Sequence, residues 1–147
     1  MDNCMSRAGF PNIGVRHGAW GENVASSYLR KRGFIIVDRN SCPCRRNRTL
    51  EIDIVAYEQK SDTLVFVEVK QHKSFSQYQS RLRSIDKQKL SNLRRACVNW
   101  VKTKDWDGGY RFDVIEIYGA PESGSPEIDH IENVQLFTSK ERRVAWK

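Results

Sequence analysis

Three charged residues interrupt stretches that otherwise read as buried strands: Asp53 in LEIDIVAY (residues 50–57), then Glu68 and Lys70 in TLVFVEVK (residues 63–70). Alternate side chains of a strand share a face, so Glu68 and Lys70 project together while Val67 and Val69 point the other way. If the two runs pair as a hairpin across the polar turn EQKSD, the end of the second strand returns beside the start of the first and Asp53 approaches Glu68. Two carboxylates and an ammonium then converge. Crowding like charges onto an apolar sheet is costly unless a divalent cation neutralises them, and hard carboxylate oxygens suit Mg²⁺ or Mn²⁺. The pattern Asp-x14-Glu-x-Lys therefore reads as a metal-dependent phosphodiesterase site. In that reading Asp53 and Glu68 hold the cation with the main-chain carbonyl of Val69 as a further oxygen ligand. Lys70 orients or helps deprotonate the attacking water and offsets phosphate charge. The plainer reading of the same spacing is a solvated cross-strand salt bridge.

The elements that must position these groups are marked along the chain. Trp20, Val24 and Tyr28, flanked by Ala25 and Leu29, recur at helical spacing from about Gly18 until Arg30, Lys31, Arg32 and a stop at Gly33. Phe34–Asp38 is a short apolar strand, followed by the basic loop NSCPCRRNR. After the two charged strands, QHKSFSQYQSRLRS makes a polar connection of the length usual for a functional loop. A second helix is expected from Ser84 or Ile85, with Leu90, Leu93, Cys97, Trp100 and Val101 as its apolar stripe. An Asp-Gly-Gly turn at 107–109 then leads to a strand RFDVIEIY, a loop APESGSPE and a last short strand IDHIENV. The order αβββαββ predicts an α/β three-layer sandwich, a mixed sheet of about five strands flanked by helices. Residues 1–16 read as a basic arm, 17–137 as the domain, and 138–147 as a basic tail.

At 147 residues the chain suits one domain, and 39% hydrophobic with 29% charged residues fits a packed core under a polar surface. A net charge of +7 favours a polyanionic partner, because basic surfaces gain from releasing the counterions of phosphates. No apolar run approaches the roughly 20 residues that cross a bilayer, and the N-terminus lacks the apolar segment of a secretory signal. The expectation is a cytoplasmic protein without a membrane partner. Of Cys4, Cys42, Cys44 and Cys97, only Cys42 and Cys44 are close together, and one Cys-x-Cys pair falls short of the four ligands of structural zinc. Reduced thiols are expected.

The strings GAWGENVASSYLRKRGF, LEIDIVAYE, LVFVEVK, KQKL, RFDVIEI and HIENV, in that order, resemble the YraN-like family of uncharacterised bacterial proteins, which belongs to the PD-(D/E)xK restriction-endonuclease-like superfamily. The match spans roughly residues 14–135. It implies a restriction-endonuclease-like core similar in plan to archaeal Holliday-junction resolvases, and it widens the candidate site. Glu22 matches the superfamily's acidic residue on the first helix, and Gln88 the polar residue on the second helix that often faces the cleft. Glu51 matches the Glu of the family's Gly-Glu-Ile-Asp segment and is a candidate supporting ligand. This chain departs from the family in having Leu50 in place of Gly, and Gln71-His72 in place of Thr-Arg after the lysine. His72 is an alternative acid or a loop histidine without a role, and His130 reads as structural.

Arg45, Arg46 and Arg48, with Arg81, Arg83, Lys87, Lys89, Arg94 and Arg95, form two basic clusters able to flank a nucleic-acid cleft. Phe75 and Tyr78 either stack on unpaired bases or fold back onto the core. The expected partner is DNA, recognised by shape at branched, nicked or single-stranded places, since no separate reader module is evident. Symmetrical cutting of two strands requires two sites and hence a homodimer, although no residue run marks an interface. The rival reading is a nucleic-acid-binding protein, or an accessory subunit of DNA uptake, recombination or repair, that keeps the fold with little intrinsic activity.

Overall fold

The computed structural model describes residues 13–41, 51–73 and 87–137. In chain order these form α1 (Ile13–Lys31), β1 (Phe34–Ser41), β2 (Ile52–Glu58), β3 (Thr63–His72), α2 (Lys87–Thr103), β4 (Gly109–Tyr118) and β5 (Glu127–Ile131). The strands build one mixed sheet in the spatial order β1-β2-β3-β4-β5. Only β3 and β4 pair in parallel. A parallel neighbour is out of reach of a tight turn, so the chain crosses between them by way of α2.

Each helix buries one stripe on one face of the sheet. Ala25 and Leu29 of α1 pack with Ile54, Ala56, Val65, Val67, Ile115 and Ile117. On the opposite face Leu93, Ala96, Cys97 and Trp100 of α2 pack with Val55, Leu64, Phe66, Tyr110, Phe112 and Val114. This is the α/β three-layer sandwich that the order αβββαββ predicts. Being covered on both sides, β3 is apolar on both sides, which is why TLVFV shows no alternation before its first charge. Phe66 anchors the α2 side, meeting Trp100, Tyr110 and Phe137 edge to face.

Several boundaries differ from the sequence expectation. Helix α1 starts at Ile13 rather than near Gly18, and no proline lies between the two positions to interrupt it. At its other end the last turn closes through Arg32 N–H to Leu29 and Gly33 N–H to Arg30, and Gly33 takes a φ of 90° that a side chain would strain. Strand β1 continues past Asp38 to Ser41, because a bulge between Ile36 and Asp38 absorbs one residue and lets pairing resume as far as Ser41 opposite Ile52. Strand β3 runs on to His72, opposite Tyr118. The last strand stops at Ile131, since Asn133 turns into the left-handed region (φ 54°) and gives its N–H to the Asp113 side chain instead of the ladder.

The N-terminal arm up to residue 12, the loop with Cys42, Cys44, Arg45, Arg46 and Arg48, the connection with Phe75, Tyr78, Arg81 and Arg83, and the tail from Thr138 lie outside the described residues. Among the described residues no helix is long and apolar enough to cross a membrane.

Candidate active site

The ladder between β2 and β3 runs from Glu58 opposite Thr63 to Ile54 opposite Val67 and ends there. Asp53, the next residue, does not continue it. Its carboxyl instead accepts the main-chain N–H of Val69 at 2.8 Å on Oδ2, which pins it beside Glu68. Glu68 is buried, and one of its oxygens, Oε1, receives two ammonium groups: Lys89 Nζ at 2.7 Å and Lys70 Nζ at 3.4 Å. Lys70 arrives from two residues along β3, as the strand period requires. Lys89 arrives from the first turn of α2.

Helix α1 supplies the opposite wall through Glu22. Its Oε2 accepts Asn40 Nδ2 at 2.9 Å, with Arg39 Nη2 at 3.6 Å. Both partners come from the stretch of β1 after the bulge, which increases the local twist and re-aims the strand end. The preceding Gly21 packs closely against β3: a Cβ there would lie 2.9 Å from Oε1 of Gln71, so that a side chain at 21 would push the Gln71 amide aside. Glu22, Asp53, Glu68, Val69, Lys70 and Lys89 thus line one cleft of about 230 Å³, with room for several waters.

Burial, and then the adjacent Glu68 charge, hold the Asp53 carboxyl well above the usual range against the opposing Val69 N–H. Burial also raises Glu22, with Asn40 and Arg39 working the other way. Lys70 is lowered by burial and by the neighbouring Lys89. For Lys89 burial opposes the charge, but its hydrogen bonds to Glu68 and Lys70 and the charges of Glu68 and Asp53 together outweigh that and raise it. The oxygens of the carboxyl pair are of the hard type that Mg²⁺ and Mn²⁺ take.

Of the residues singled out in the sequence, Asp53, Glu68, Val69, Lys70 and Glu22 meet in this cleft. Glu51 stands close enough to Glu22 to raise its carboxyl but does not line the cleft. Gln88 departs from expectation: it is exposed, and its Nε2 donates to Asn92 Oδ1 at 3.1 Å on the same helix. The position that turns inward is Lys89. Lys89, Leu93, Ala96 and Trp100 recur at intervals of four, three and four, so the apolar stripe of α2 continues into this lysine, whereas Gln88 aligns with Asn92 and the exposed Arg95. That spacing was a signal available in the sequence. Lys87 and Arg95 are exposed on α2 and Arg94 is half-buried. His72 stacks on Tyr118 with ring centres 4.9 Å apart and lies 3.5 Å from the buried Glu116, away from the cleft lining.

A second group, Asp113, His130 and Glu132, brings three ligand atoms within 4.8 Å of one another and is able to hold a metal ion. Its donors already have partners. Asp113 accepts Arg111 through Nε at 3.0 Å and Nη2 at 3.2 Å, meets His130 Nε2 at 2.8 Å and accepts the Asn133 N–H at 2.8 Å. Arg111 also reaches Glu58 at 2.7 Å and Glu132 at 3.8 Å. A cation here would have to displace a guanidinium, so this cluster is foremost an ion-pair network tying β2, β4 and the end of β5.

The model of the uncharacterised protein family UPF0102 matches residues 21–117. A UPF0102 protein of Syntrophomonas wolfei is 37% identical over 117 residues, covering 79% of this chain and 94% of that protein. One of Pseudothermotoga lettingae is 41% identical over 116 residues, covering 78% and 94%. Neither name states an activity. Among solved structures, Pyrococcus furiosus SfsA in complex with Ca²⁺ aligns over 82% of this chain and 64% of its own at 13% identity, but at a TM-score of 0.31 the likeness carries no argument.

Proposed function

Since the chain belongs to the uncharacterised protein family UPF0102, the YraN family, a membership that brings no activity with it, we propose from the cleft itself that the protein is a Mg²⁺- or Mn²⁺-dependent endonuclease acting on DNA. The observation that carries this reading is the pair of enclosed carboxyls, Asp53 and Glu68, fixed side by side by a main-chain hydrogen bond and answered by lysines in an open cleft. A solvated salt bridge would have no reason to bury Glu68 to 4% exposure or to force Asp53 against it.

Asp53 and Glu68, with the main chain of Val69, would hold the cation. When bound, it supplies Lewis-acid stabilisation of the phosphoryl oxygens and lowers the pKa of water. The chain's own groups do the rest. Lys70, sited at the carboxyl pair, orients the attacking water and offsets phosphate charge; as the water oxygen bonds to phosphorus its proton passes to solvent, while the bond from phosphorus to the departing sugar oxygen breaks and that oxygen takes a proton from solvent. Glu22 faces the pair from α1 and restricts the cleft to cationic or well-hydrated occupants. Recognition rests on shape and charge. Lys87, Arg94 and Arg95 on α2 are candidates for phosphate contacts, and no second module among the described residues reads base edges.

The test is incubation of the purified protein with Mg²⁺ or Mn²⁺ and a panel of linear, single-stranded, flapped and four-way-junction DNA and RNA, beside Asp53→Ala and Lys70→Ala. Cleavage by the wild type that falls at least about a hundredfold in both variants supports the endonuclease. Binding without cleavage by all three proteins overturns it in favour of a nucleic-acid-binding protein or accessory subunit.

A further inference from the structure

Glu68 takes two ammonium groups on one oxygen, although a single lysine would balance its charge. The two lysines are not equivalent. Lys70 is carried by the same strand, beside Glu116 of β4 in register, and stays 3.4 Å away. Lys89 comes from another element, approaches to 2.7 Å, and is attracted by Asp53 as well as by Glu68. It therefore sits on the oxygen that a cation would need, at the distance of a full charge-assisted hydrogen bond. Mg²⁺ and Mn²⁺ bind carboxylate oxygens at close to 2 Å, and an ammonium and a divalent ion crowded on one oxygen repel strongly in a partly enclosed site. Lys89 also has a way out, since its side chain is 41% exposed and rides on a flexible four-carbon stem at the start of α2.

We propose that Lys89 is the built-in competitor for the catalytic cation: it neutralises the Asp53–Glu68 pair in the cation's place and must swing out of the cleft before a divalent ion binds. This rests on the cation-binding reading above and adds to it a coupling to the substrate. A phosphate at the cleft mouth that draws the Lys89 ammonium away from Glu68 raises metal affinity. By linkage the metal raises phosphate affinity by the same factor. Lys89 is then a positioning residue that makes full metal occupancy depend on the presence of a polyanion.

Occupancy is read directly from the paramagnetic resonance of free Mn²⁺ titrated into the full-length protein, so no cleavage assay is involved. Lys89→Met keeps the length of the side chain and removes its charge, and it is expected to bind Mn²⁺ about tenfold tighter than wild type or more. Lys89→Arg restores the charge and is expected to bind no tighter than wild type. Single-stranded DNA should raise the Mn²⁺ affinity of the wild type severalfold more than that of Lys89→Met. Unchanged or weaker Mn²⁺ binding by Lys89→Met, while Asp53→Asn abolishes binding, overturns the competitor role and leaves the cation reading standing. Should Asp53→Asn bind Mn²⁺ as the wild type does, or should neither wild type nor Lys89→Met bind it at all, the cation reading fails and the competitor role with it. Thermal unfolding of Lys89→Met distinguishes a lost structural tie from a lost competitor, because a mere tie between α2 and β3 would lower Tm without tightening Mn²⁺.

Discussion

Asp53 occupies a position that a carboxyl would leave if packing allowed: enclosed by the sheet, beside another carboxylate, with one N–H in partial compensation. Its pKa in the folded chain lies above the ordinary aspartate value, so between those two values the folded protein binds more protons than the unfolded one. Stability therefore falls as pH rises through that interval and stays reduced above it. Above that interval the ionised carboxyl pair is under electrostatic strain that a bound cation would relieve. Two outcomes follow in thermal unfolding. In EDTA at pH 7, Asp53→Asn should melt above the wild type, by roughly 4 °C for each kcal/mol relieved in a domain of this size. Adding Mn²⁺ should raise the wild-type Tm and leave that of the variant unmoved. A lower Tm for Asp53→Asn in EDTA would mean that the Val69 hydrogen bond outweighs the repulsion, against the electrostatic reading of the cleft. The trade is one expected of functional sites, where activity keeps a residue that stability alone would replace.

Between elements, a polar anchor is formed by Arg111 on β4, which bridges Glu58 at the end of β2, Asp113 on its own strand and Glu132 just after β5. Asp113 is fully buried; its burial pushes the carboxyl up, but His130 and Arg111 more than offset that and hold it below the ordinary range. A depressed folded-state pKa means that this carboxylate stabilises the fold above its unfolded pKa of about 4, and that the contribution is lost as pH falls through the folded value. Arg111→Met leaves Asp113 buried without its main partner and should cost about 3–5 kcal/mol in urea unfolding at pH 7. The deficit should narrow below about pH 4, where protonation removes the wild-type pairing as well. Arg111 and Asp113 share a face by the strand period, but their ties to Glu58, His130 and Glu132 were not legible from spacing, because those residues lie far off in sequence and meet only through the order β2-β3-β4-β5 of the sheet. The hairpin that brings Asp53 to Glu68 was legible, since a period of two and a short polar turn are local rules. Lys89 and Gln88 mark the boundary between the two cases. They are adjacent in sequence, and which of them enters the cleft depends on a rotation of about 100° around α2 that the Leu93, Ala96 and Trp100 stripe decides.

For the molecule as a whole, charge and architecture point to the same kind of partner. The chain carries 25 Lys and Arg against 18 Asp and Glu, and six of the acidic groups are held in the cleft and in the Arg111 network. That leaves exposed basic residues such as Lys87 and Arg95 on α2, the helix that also delivers Lys89 to the cleft. A polyanion held along this helix would lie on the element that delivers Lys89 to the cleft. If about six phosphates are neutralised, the logarithm of the DNA association constant should fall against the logarithm of salt concentration with a slope near −5, the value for counterion release at that number of contacts. Fluorescence anisotropy of a labelled duplex or junction between about 50 and 300 mM KCl measures this. Replacing Lys87 and Arg95 together by Ala should reduce the slope by about two and weaken binding to all sequences alike, because contacts to phosphate position the substrate without reading it. A slope near zero, or a loss confined to particular sequences, would show that the basic face of α2 does not carry the substrate backbone, and the path into the cleft would have to be sought from the β1 side, where Arg39 and Asn40 already hold Glu22.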